Sequence, residues 1–332
     1  MQALIDGARK EGTLVVISSD ETIGGPEAIR QFQAGFNKLY GLNVQIQYTP
    51  GPSMPEVTSK VVQEYKAQRP ASTDVLIGAE AHVLTGMQAG ALVAVDWASW
   101  AANIQDPRLL APDGVAVEFS TATPGITYNT GKISETAAPR SLQDVLKPEL
   151  KGRIASTPYG GIFADYATPE IWGEQRTLDF LRSFAPQVSG LIRAGETQRI
   201  ASGEFDALAV NVDSAGATKL QLSGAPIKHV IPADAATLQF RYISVPKNAA
   251  HPNAAQLFIN YLLGRDGQDV LFEHTASDQY IVPGSKVAPA LRQVESAGVT
   301  LHPVDVQFLL RNDAAKLDAF NKQAVEILQK KS

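Results

Sequence analysis

The chain has 332 residues, with 29 lysines and arginines against 34 aspartates and glutamates, so its formal net charge is −5. It contains no cysteine, which excludes disulfides, thiolate nucleophiles and cysteine-ligated zinc or iron–sulfur centres. The mild negative charge, without a block of basic residues, does not fit a phosphate-backbone binder, so we expect no nucleic-acid partner. The hydrophobic share of 44% and the length predict a globular protein of about two domains.

Short runs rich in β-branched residues alternate with helical patterns along the chain. The predicted strands are 13–19, 43–49, 74–78, 153–156, 206–212 and 227–231. The predicted helices are 26–40, 56–68, 177–184, 252–263 and 305–329, where apolar residues recur at intervals of three and four. Repeated alternation of strand and helix predicts an α/β architecture with largely parallel sheets.

The middle section, residues 97–151, is rich in proline, glycine, asparagine and threonine and is predicted to be a connection. Within it, residues 125–130 (GITYNT) form a short β-prone segment, and residues 240–246 (FRYISVP) form a second one much later. If each is an extended strand that passes from one lobe to another, the chain crosses twice. Both lobes are then discontinuous in sequence.

Motifs for catalysis and cofactor binding are missing. No two glycines are separated by a single residue, so the G-x-G-x-x-G dinucleotide fingerprint is absent. Residues 125–133 (GITYNTGKI) depart from a P-loop, and residues 212–216 (VDSAG) lack the first glycine of a nucleophile elbow. The histidines stand far apart, without metal-ligand spacing. We therefore expect no enzyme activity, no catalytic residue, no metal site and no cofactor.

Seven phrases occur in an order that is similar to one protein family. They are EGTLVVISS at 11–19, DV at 74–75 followed by GMQAGAL at 86–92, GITYN at 125–129, APRSLQDVLKPELKGR at 138–153, GE at 203–204, GAP at 224–226 and HPNAAQLFINYLLGRDGQDVL at 251–271. Together they resemble the periplasmic solute-binding proteins of ABC importers, in the branch that contains ferric-ion, thiamine, polyamine and phosphonate binders. The resemblance spans roughly residues 11–283.

This resemblance implies a two-lobed periplasmic-binding-protein fold of type II, in which each lobe is a mixed, mainly parallel sheet flanked by helices. A ligand cleft lies between the lobes, which close over the solute. Lobe 1 would comprise residues 1–125 and 243–285, and lobe 2 would comprise residues 126–242 and 286–332. The hinge strands would lie near residues 125–130 and 240–246.

The implied partners are a small-molecule solute and the ABC permease subunits in the inner membrane, and we expect a monomer. Residues 1–11 show no basic segment followed by an apolar one, so no signal peptide is visible. The resemblance nevertheless implies a periplasmic location, with the signal peptide trimmed from this sequence.

Loops that follow predicted strands would face the cleft, because ligands bind at the carboxyl ends of parallel strands. The candidate binding residues are Ser18, Ser19, Glu80, Tyr128, Tyr159, Gly160, Gly161, Asp165, Thr197, Asn211, Asp213, Ser214 and Tyr242. Several of them have an equally ordinary structural explanation. Ser18 and Ser19 contact an anion or cap a helix, and Glu80 is a ligand carboxylate or a helix-start residue.

The same alternatives hold for the aromatic and glycine residues. Tyr128 and Tyr242 flank the ligand or pack the hinge. Gly160 and Gly161 let backbone amides approach an anion, with Tyr159 as a wall, or they form an ordinary turn.

One departure from the family bears on specificity. Ferric-binding members carry two adjacent tyrosines just after an asparagine that closes the corresponding strand, whereas residues 211–214 read NVDS and no tyrosine pair occurs anywhere. Free ferric ion is therefore disfavoured. The glycine loop and Asn211 favour an anionic group, while Asp213, Asp165 and Glu80 favour a cationic one.

The predicted ligand is therefore a small polar solute, anionic or zwitterionic, with its anionic end at the glycine loop and a hydrogen-bond donor near Asp213. Two alternatives remain. One is a ferric-ion-binding protein with a site that lacks the tyrosine pair. The other is an enzyme of related two-lobed fold that acts on a phosphorylated metabolite.

Overall fold

The computed structural model describes residues 1–212 and 214–330, so the predicted site residue Asp213 lies outside the described residues. The strands are β1 Thr13–Ser18, β2 Gln45–Pro50, β3 Leu76–Gly78, β4 Ala116–Ala122, β5 Gly125–Asn129, β6 Ile154–Ser156, β7 Val188–Leu191, β8 Ala207–Asn211, β9 Ile227–Val230, β10 Thr237–Ser244 and β11 His302–Val304. The helices are α1 Gln2–Glu11, α2 Asp20–Ile23, α3 Gly25–Tyr40, α4 Met54–Lys66, α5 Glu80–Gln88, α6 Gly161–Tyr166, α7 Glu174–Phe184, α8 Gln198–Ala201, α9 Ser214–Leu222, α10 Pro252–Leu262, α11 Arg265–Thr275, α12 Ala288–Ser296, α13 Val306–Arg311 and α14 Ala314–Gln329. This order confirms the predicted α/β architecture.

The chain divides into two units, each made of separate stretches of sequence. Unit 1 comprises Met1–Thr121, Phe240–Pro289 and Asp305–Gln307. Unit 2 comprises Ala122–Gln239, Ala290–Val304 and the described residues from Phe308 onward. The domain boundaries and hinge positions inferred from the sequence stay a prediction.

The strands of unit 1 are joined by both parallel and antiparallel pairing. β1 and β2 run parallel. A parallel bridge between Val16 and Val75 also pairs β1 with the residue that directly precedes β3. β3 pairs antiparallel with the end of β10, so that Gly78 lies opposite Tyr242, and β4 also pairs with β10. The carboxyl ends of β1, β2 and β3 therefore share one edge, and Arg241 of β10 lies at that edge as well.

The core of unit 1 contains an aromatic cluster between α3 and α10. Phe32 and Phe36 of α3 each lie 6.0 Å from the ring of Phe258 in edge-to-face geometry, and Tyr261 packs against the same rings. The three phenylalanines have no exposed surface. The spacing of four between Phe32 and Phe36 puts both on one helix face, which is why the sequence pattern predicted α3.

Unit 2 has a five-stranded sheet in the order β7-β6-β8-β5-β9. β6 runs parallel to β7 and β8, whereas β5 runs antiparallel to β8 and β9. The carboxyl ends of β6, β7 and β8 therefore lie at one edge of this sheet. Phe320, Ala324 and Leu328 of α14 belong to the unit's hydrophobic core.

Two expectations about secondary structure were wrong. The predicted helix 305–329 is two helices, because Asp313 accepts hydrogen bonds from the Ala315 and Lys316 backbone N–H groups and so begins α14 anew. The section predicted as a connection contains β4, of which Ala116–Thr121 is buried at every position. Burial on both faces removes the alternation by which a strand is recognised in sequence.

In the part of the chain that the structure describes, no helix has the length and apolar character needed to cross a lipid bilayer.

We expect Phe258→Ala to lower the free energy of unfolding of unit 1 by about 3–5 kcal/mol, because it leaves a cavity among closely packed rings. Leu39→Ala is the matched control on the exposed side of α3, where Leu39 is 57% exposed, and should change it by less than about 0.5 kcal/mol. Denaturant unfolding followed by circular dichroism measures both. A loss below about 1 kcal/mol for Phe258→Ala would contradict the packing described here.

Candidate functional site

The loop after β1 in unit 1 is held by its own hydrogen bonds. Ser18 is buried, and its carbonyl accepts hydrogen bonds from the Tyr48 hydroxyl at 2.9 Å and from the Gly51 N–H at 3.0 Å. Ser19 occupies the N-cap position of α2, and its Oγ lies 2.9 Å from Thr22 Oγ1. Both predicted serines therefore have structural partners, and their contact with a solute stays a prediction.

Glu80 begins α5 directly after β3, at the edge where the parallel strands of unit 1 end. Its Oε2 is buried and has no hydrogen-bond partner among the described residues. Burial raises the pKa of this carboxyl group. A hydrogen bond from the backbone N–H of Glu80 itself and the charge of Arg241 oppose that rise, and the charge of Asp305 adds to it. The structure thus leaves one carboxylate oxygen of Glu80 available to a donor that the protein does not supply.

Tyr242 lies inside unit 1 rather than on its surface. The ring is 1% exposed, and its hydroxyl donates to Glu118 Oε1 at 2.8 Å and accepts from the Val306 N–H at 3.3 Å. Burial, together with the neighbouring charge of Glu118, raises the pKa of Tyr242. Sequence reasoning missed Glu118, because a single glutamate in a section predicted as a connection carries no signal.

The glycine loop of unit 2 has a packing explanation at its first position. A side-chain Cβ on Gly160 would lie 2.2 Å from the backbone oxygen of Asn321 in α14, whereas one on Gly161 would meet no atom within 4 Å. Gly160 therefore permits a close approach of α14 to the loop. Tyr159 is 40% exposed beside it.

Two other candidates from the sequence lie in the interior of unit 2. Tyr128 packs in the hydrophobic core and is 2% exposed. Asp165 is 9% exposed, and its Oδ2 lies 3.4 Å from Gln239 Nε2. For Tyr128 the observed position matches the packing alternative that the sequence left open.

Two threonine hydroxyls at the same sheet edge of unit 2 have no hydrogen-bond partner among the described residues. Thr157 follows β6 directly and has no exposed surface; Thr197 precedes α8 and is 2% exposed. The ends of β6 and β7 are adjacent, since the Ile192 N–H donates to the Ser156 carbonyl at 2.9 Å. Thr197 was predicted, whereas Thr157 was missed although it is the first residue after a predicted strand.

Asn211 closes β8 and is 1% exposed. Its Nδ2 donates to Thr127 Oγ1 at 2.8 Å, and Thr127 Oγ1 lies 3.0 Å from His229 Nδ1. Ser214 Oγ accepts a hydrogen bond from the backbone N–H of Thr123 at 3.0 Å. The predicted residues Asn211 and Ser214 therefore both form hydrogen bonds with residues in or just before β5.

The residue before Asn211 has an unusual backbone conformation. Val210 has φ 57°, a left-handed value that β-branched residues avoid, and the pairing of β5 with β8 shifts register at this point. An extra residue in a strand changes the face to which the next side chain points. We therefore attribute the contact of Asn211 with Thr127 to this bulge.

The two sheet edges differ in charge. The edge of unit 1 carries the carboxyl groups of Asp20 and Glu80, with Arg241 and Asp305 close enough to Glu80 to affect its pKa. The edge of unit 2 offers the neutral groups of Thr157 and Thr197 described above. Among the described residues, no group of three or more histidine, aspartate or glutamate side chains is arranged to hold a metal ion.

Comparison with known proteins assigns the chain to a family. The model of the family described as bacterial extracellular solute-binding protein matches residues 27–299. The chain belongs to this family. The Fe(3+)-binding periplasmic protein of Serratia marcescens is 27% identical over 310 residues, which cover 90% of this chain and 86% of that protein.

Solved structures agree on the fold. The substrate-binding protein of an ABC transporter from Agrobacterium tumefaciens matches with a TM-score of 0.73 at 16% identity, and the match covers 97% of each chain. The spermidine/putrescine ABC transporter substrate-binding protein of Streptococcus pneumoniae matches with a TM-score of 0.67 at 17% identity, covering 96% of this chain and 99% of that one. The periplasmic-binding-protein fold predicted from the sequence is confirmed.

As a member of this family, the protein is a bacterial extracellular solute-binding protein. Proteins of this family bind solutes outside the cytoplasm. The resemblance to ABC solute-binding proteins is thereby confirmed.

The two glycines of the loop provide a matched pair of variants. We expect Gly160→Ala to lower the free energy of unfolding by about 1–3 kcal/mol, because its methyl group collides with the backbone of α14. Gly161→Ala enters open space at the start of α6 and should leave stability unchanged or raise it by up to about 1 kcal/mol. Thermal and denaturant unfolding measure both. Equal stability of the two variants would refute the packing explanation for Gly160.

Proposed function

We propose that this receptor binds a small organic solute that carries a protonated nitrogen at one end and a carboxylate, phosphonate or comparable acceptor at the other. The observation that carries the proposal is the buried, unpartnered Oε2 of Glu80. Leaving a buried acceptor unsatisfied costs about 1–3 kcal/mol, and more when the group is charged. A donor from a bound solute would remove that cost.

The environment of Glu80 favours a cationic donor. With Asp20 at the same edge and Asp305 close by, the carboxyl groups outnumber the Arg241 guanidinium, so a positive charge is stabilised there. Burial raises the pKa of Glu80 in the free protein. A bound ammonium group would lower this pKa again, and the two interactions would reinforce each other.

The polar groups of unit 2 suit the acceptor end of the solute. Thr157 and Thr197 have buried hydroxyls without partners, and each can donate one hydrogen bond to a carboxylate or phosphonate oxygen. Gly161 leaves room for an approach to the backbone at the start of α6. This part of the proposal keeps the zwitterionic class inferred from the sequence, with Thr157 added to its contacts.

Ferric ion is the second candidate, because the Serratia marcescens relative is an Fe(3+)-binding protein. The chain has no adjacent tyrosines, and residues 211–214 read NVDS. Phenolate ligands of the kind associated with ferric binding would have to come from single tyrosines. The zwitterionic solute therefore agrees better with the polar groups on both sheet edges.

The proposed solute class can be tested with compounds that differ in one end only. In a thermal-shift and calorimetric panel we expect 4-aminobutyrate or 2-aminoethylphosphonate to bind more tightly than butyrate, ethylphosphonate or butylamine, because only the former satisfy both ends. Ferric citrate is included for the second candidate. Binding of ferric citrate with no response to any amine-bearing acid would overturn the zwitterionic proposal.

Glu80→Gln tests the cationic end directly. We expect this change to lower the affinity for an amine-bearing acid by roughly 10- to 100-fold, about 1–3 kcal/mol. The affinity for the amine-free analogue should stay the same. Glu21→Gln, at an exposed glutamate of α2, is the matched control and should leave both affinities unchanged. Equal losses for both solutes with Glu80→Gln would remove Glu80 from direct recognition.

A further inference from the structure

One arginine, Arg241, lies at the sheet edge of unit 1 where β3 ends and α5 begins. The last residue of β3 pairs with Tyr242, so Arg241, one residue earlier in β10, lies beside the turn into α5. Side chains alternate along a strand, and Tyr242 points to Glu118 in the interior, so Arg241 points to the opposite face. The charge of Arg241 acts on Glu80 and His82 of α5, and its guanidinium therefore lies near both.

The Arg241 guanidinium is not in contact with a carboxyl group of the protein. The residue is partly buried, and no carboxyl oxygen of the described residues lies within 4.0 Å of its nitrogens. Its side chain forms one hydrogen bond among these residues, from Nη1 to the carbonyl of Phe240, and at 3.5 Å this bond is weak. A guanidinium has five N–H donors, so most of them are available to an acceptor that the described residues do not supply.

Arg241 supplies the positive charge of this edge. The segments that follow β1, β2 and β3, residues 19–25, 51–53 and 79–82, contain no lysine or arginine. His82 does not add a cation, because its Nδ1 accepts a hydrogen bond from the Ala79 N–H at 3.0 Å and therefore carries no proton. Burial, followed by the charge of Arg241, lowers the pKa of His82. An anionic group of a solute at this edge would therefore be attracted to Arg241.

Glu80 and Arg241 are close to each other without forming an ion pair. Their charges interact, yet the carboxyl oxygens and the guanidinium nitrogens are more than 4.0 Å apart. Two neighbouring groups of one solute can bridge such a gap with two hydrogen bonds of about 2.9 Å each. One group would donate to Glu80 Oε2, which has no partner among the described residues, and the other would accept from Arg241.

We propose that Arg241 determines specificity by binding a carboxylate on the same carbon atom as the protonated nitrogen of the solute. The solute class is then an α-amino acid with a second acidic group at its far end. This inference rests on the proposed function, in which Glu80 accepts from the nitrogen, and it adds a third contact. The ammonium and the α-carboxylate each face a group of opposite charge, and a guanidinium binds a carboxylate through two parallel hydrogen bonds.

Compounds that differ only in the α-carboxylate test this role. Glutamate is 4-aminobutyrate with a carboxylate on the carbon that bears the nitrogen, and 2-amino-3-phosphonopropionate has the same relation to 2-aminoethylphosphonate. In titration calorimetry of the unmodified protein, we expect the α-carboxylate member of each pair to bind roughly 10- to 100-fold more tightly in its better-bound enantiomer. This ratio is called the α-carboxylate preference below.

Variants assign the α-carboxylate preference to one side chain. Arg241→Gln should reduce it to about onefold, because a neutral amide forms no charge-assisted hydrogen bond. Arg241→Lys keeps the charge without the two parallel hydrogen bonds and should retain part of the preference. Arg30→Gln, at an arginine of α3 whose side chain is 70% exposed, is the matched control and should keep the full preference. A merely structural effect would lower the affinity for both members of a pair and leave their ratio unchanged.

Two results would overturn the role of Arg241 and leave the proposed function in place. One is equal binding of both members of each pair to the unmodified protein. The other is an Arg241→Gln protein with an undiminished α-carboxylate preference. If no amine-bearing acid binds at all, the proposed function is refuted together with this inference. The comparison of compounds on the unmodified protein decides the question even if Arg241→Gln does not fold.

Discussion

The register of β10 against β3 decides where the charged groups of unit 1 lie. Because Gly78 is opposite Tyr242, the residue before Tyr242 extends beyond the end of β3, and Arg241 comes to the edge where α5 begins with Glu80. Tyr242 itself points into the unit and donates to Glu118. A shift of one residue would exchange these faces, since side chains alternate along a strand. It would leave Glu80 without its cation and Glu118 without the donor Tyr242.

The two units bury different kinds of polar group. In unit 1 the carboxyl groups of Glu80 and Glu118 are held at raised pKa, by burial above all, with one guanidinium near Glu80. In unit 2 the polar groups at the edge are hydroxyls, whose burial costs far less than that of a charge.

Two backbone positions show how packing competes with a binding explanation. Gly160 attracts a functional interpretation because glycine pairs often surround anions, yet the approach of Asn321 already accounts for its missing side chain. Val210 is the opposite case. Its left-handed φ of 57° is unfavourable for valine and coincides with the shift of register between β5 and β8. The conformation places Asn211 on Thr127, beside the loop that the sequence analysis proposed as a direct contact.

The sequence by itself determined the elements whose signal is local. The three- and four-residue spacing of apolar residues in α3 and the β-branched run of β1 were sufficient to predict those elements, and seven ordered phrases were sufficient for the family. The prediction of a single helix over 305–329 failed, although the cause of the interruption, the Asp313 cap, is also local. Thr157 could have been found from its position directly after a strand.

Only the tertiary structure decided which polar groups are satisfied. Glu118 meets Tyr242 across 124 residues and Gln279 across 161 residues, and no pattern in the sequence pairs them. The same holds for Gly160 and α14, which meet because the chain returns to unit 2 after Phe308. Periodicity reports which face of an element is apolar. The pKa of a buried carboxyl group depends on distant segments, whose positions are set by strand pairing. The same is true of whether a buried hydroxyl has a hydrogen-bond partner among the described residues.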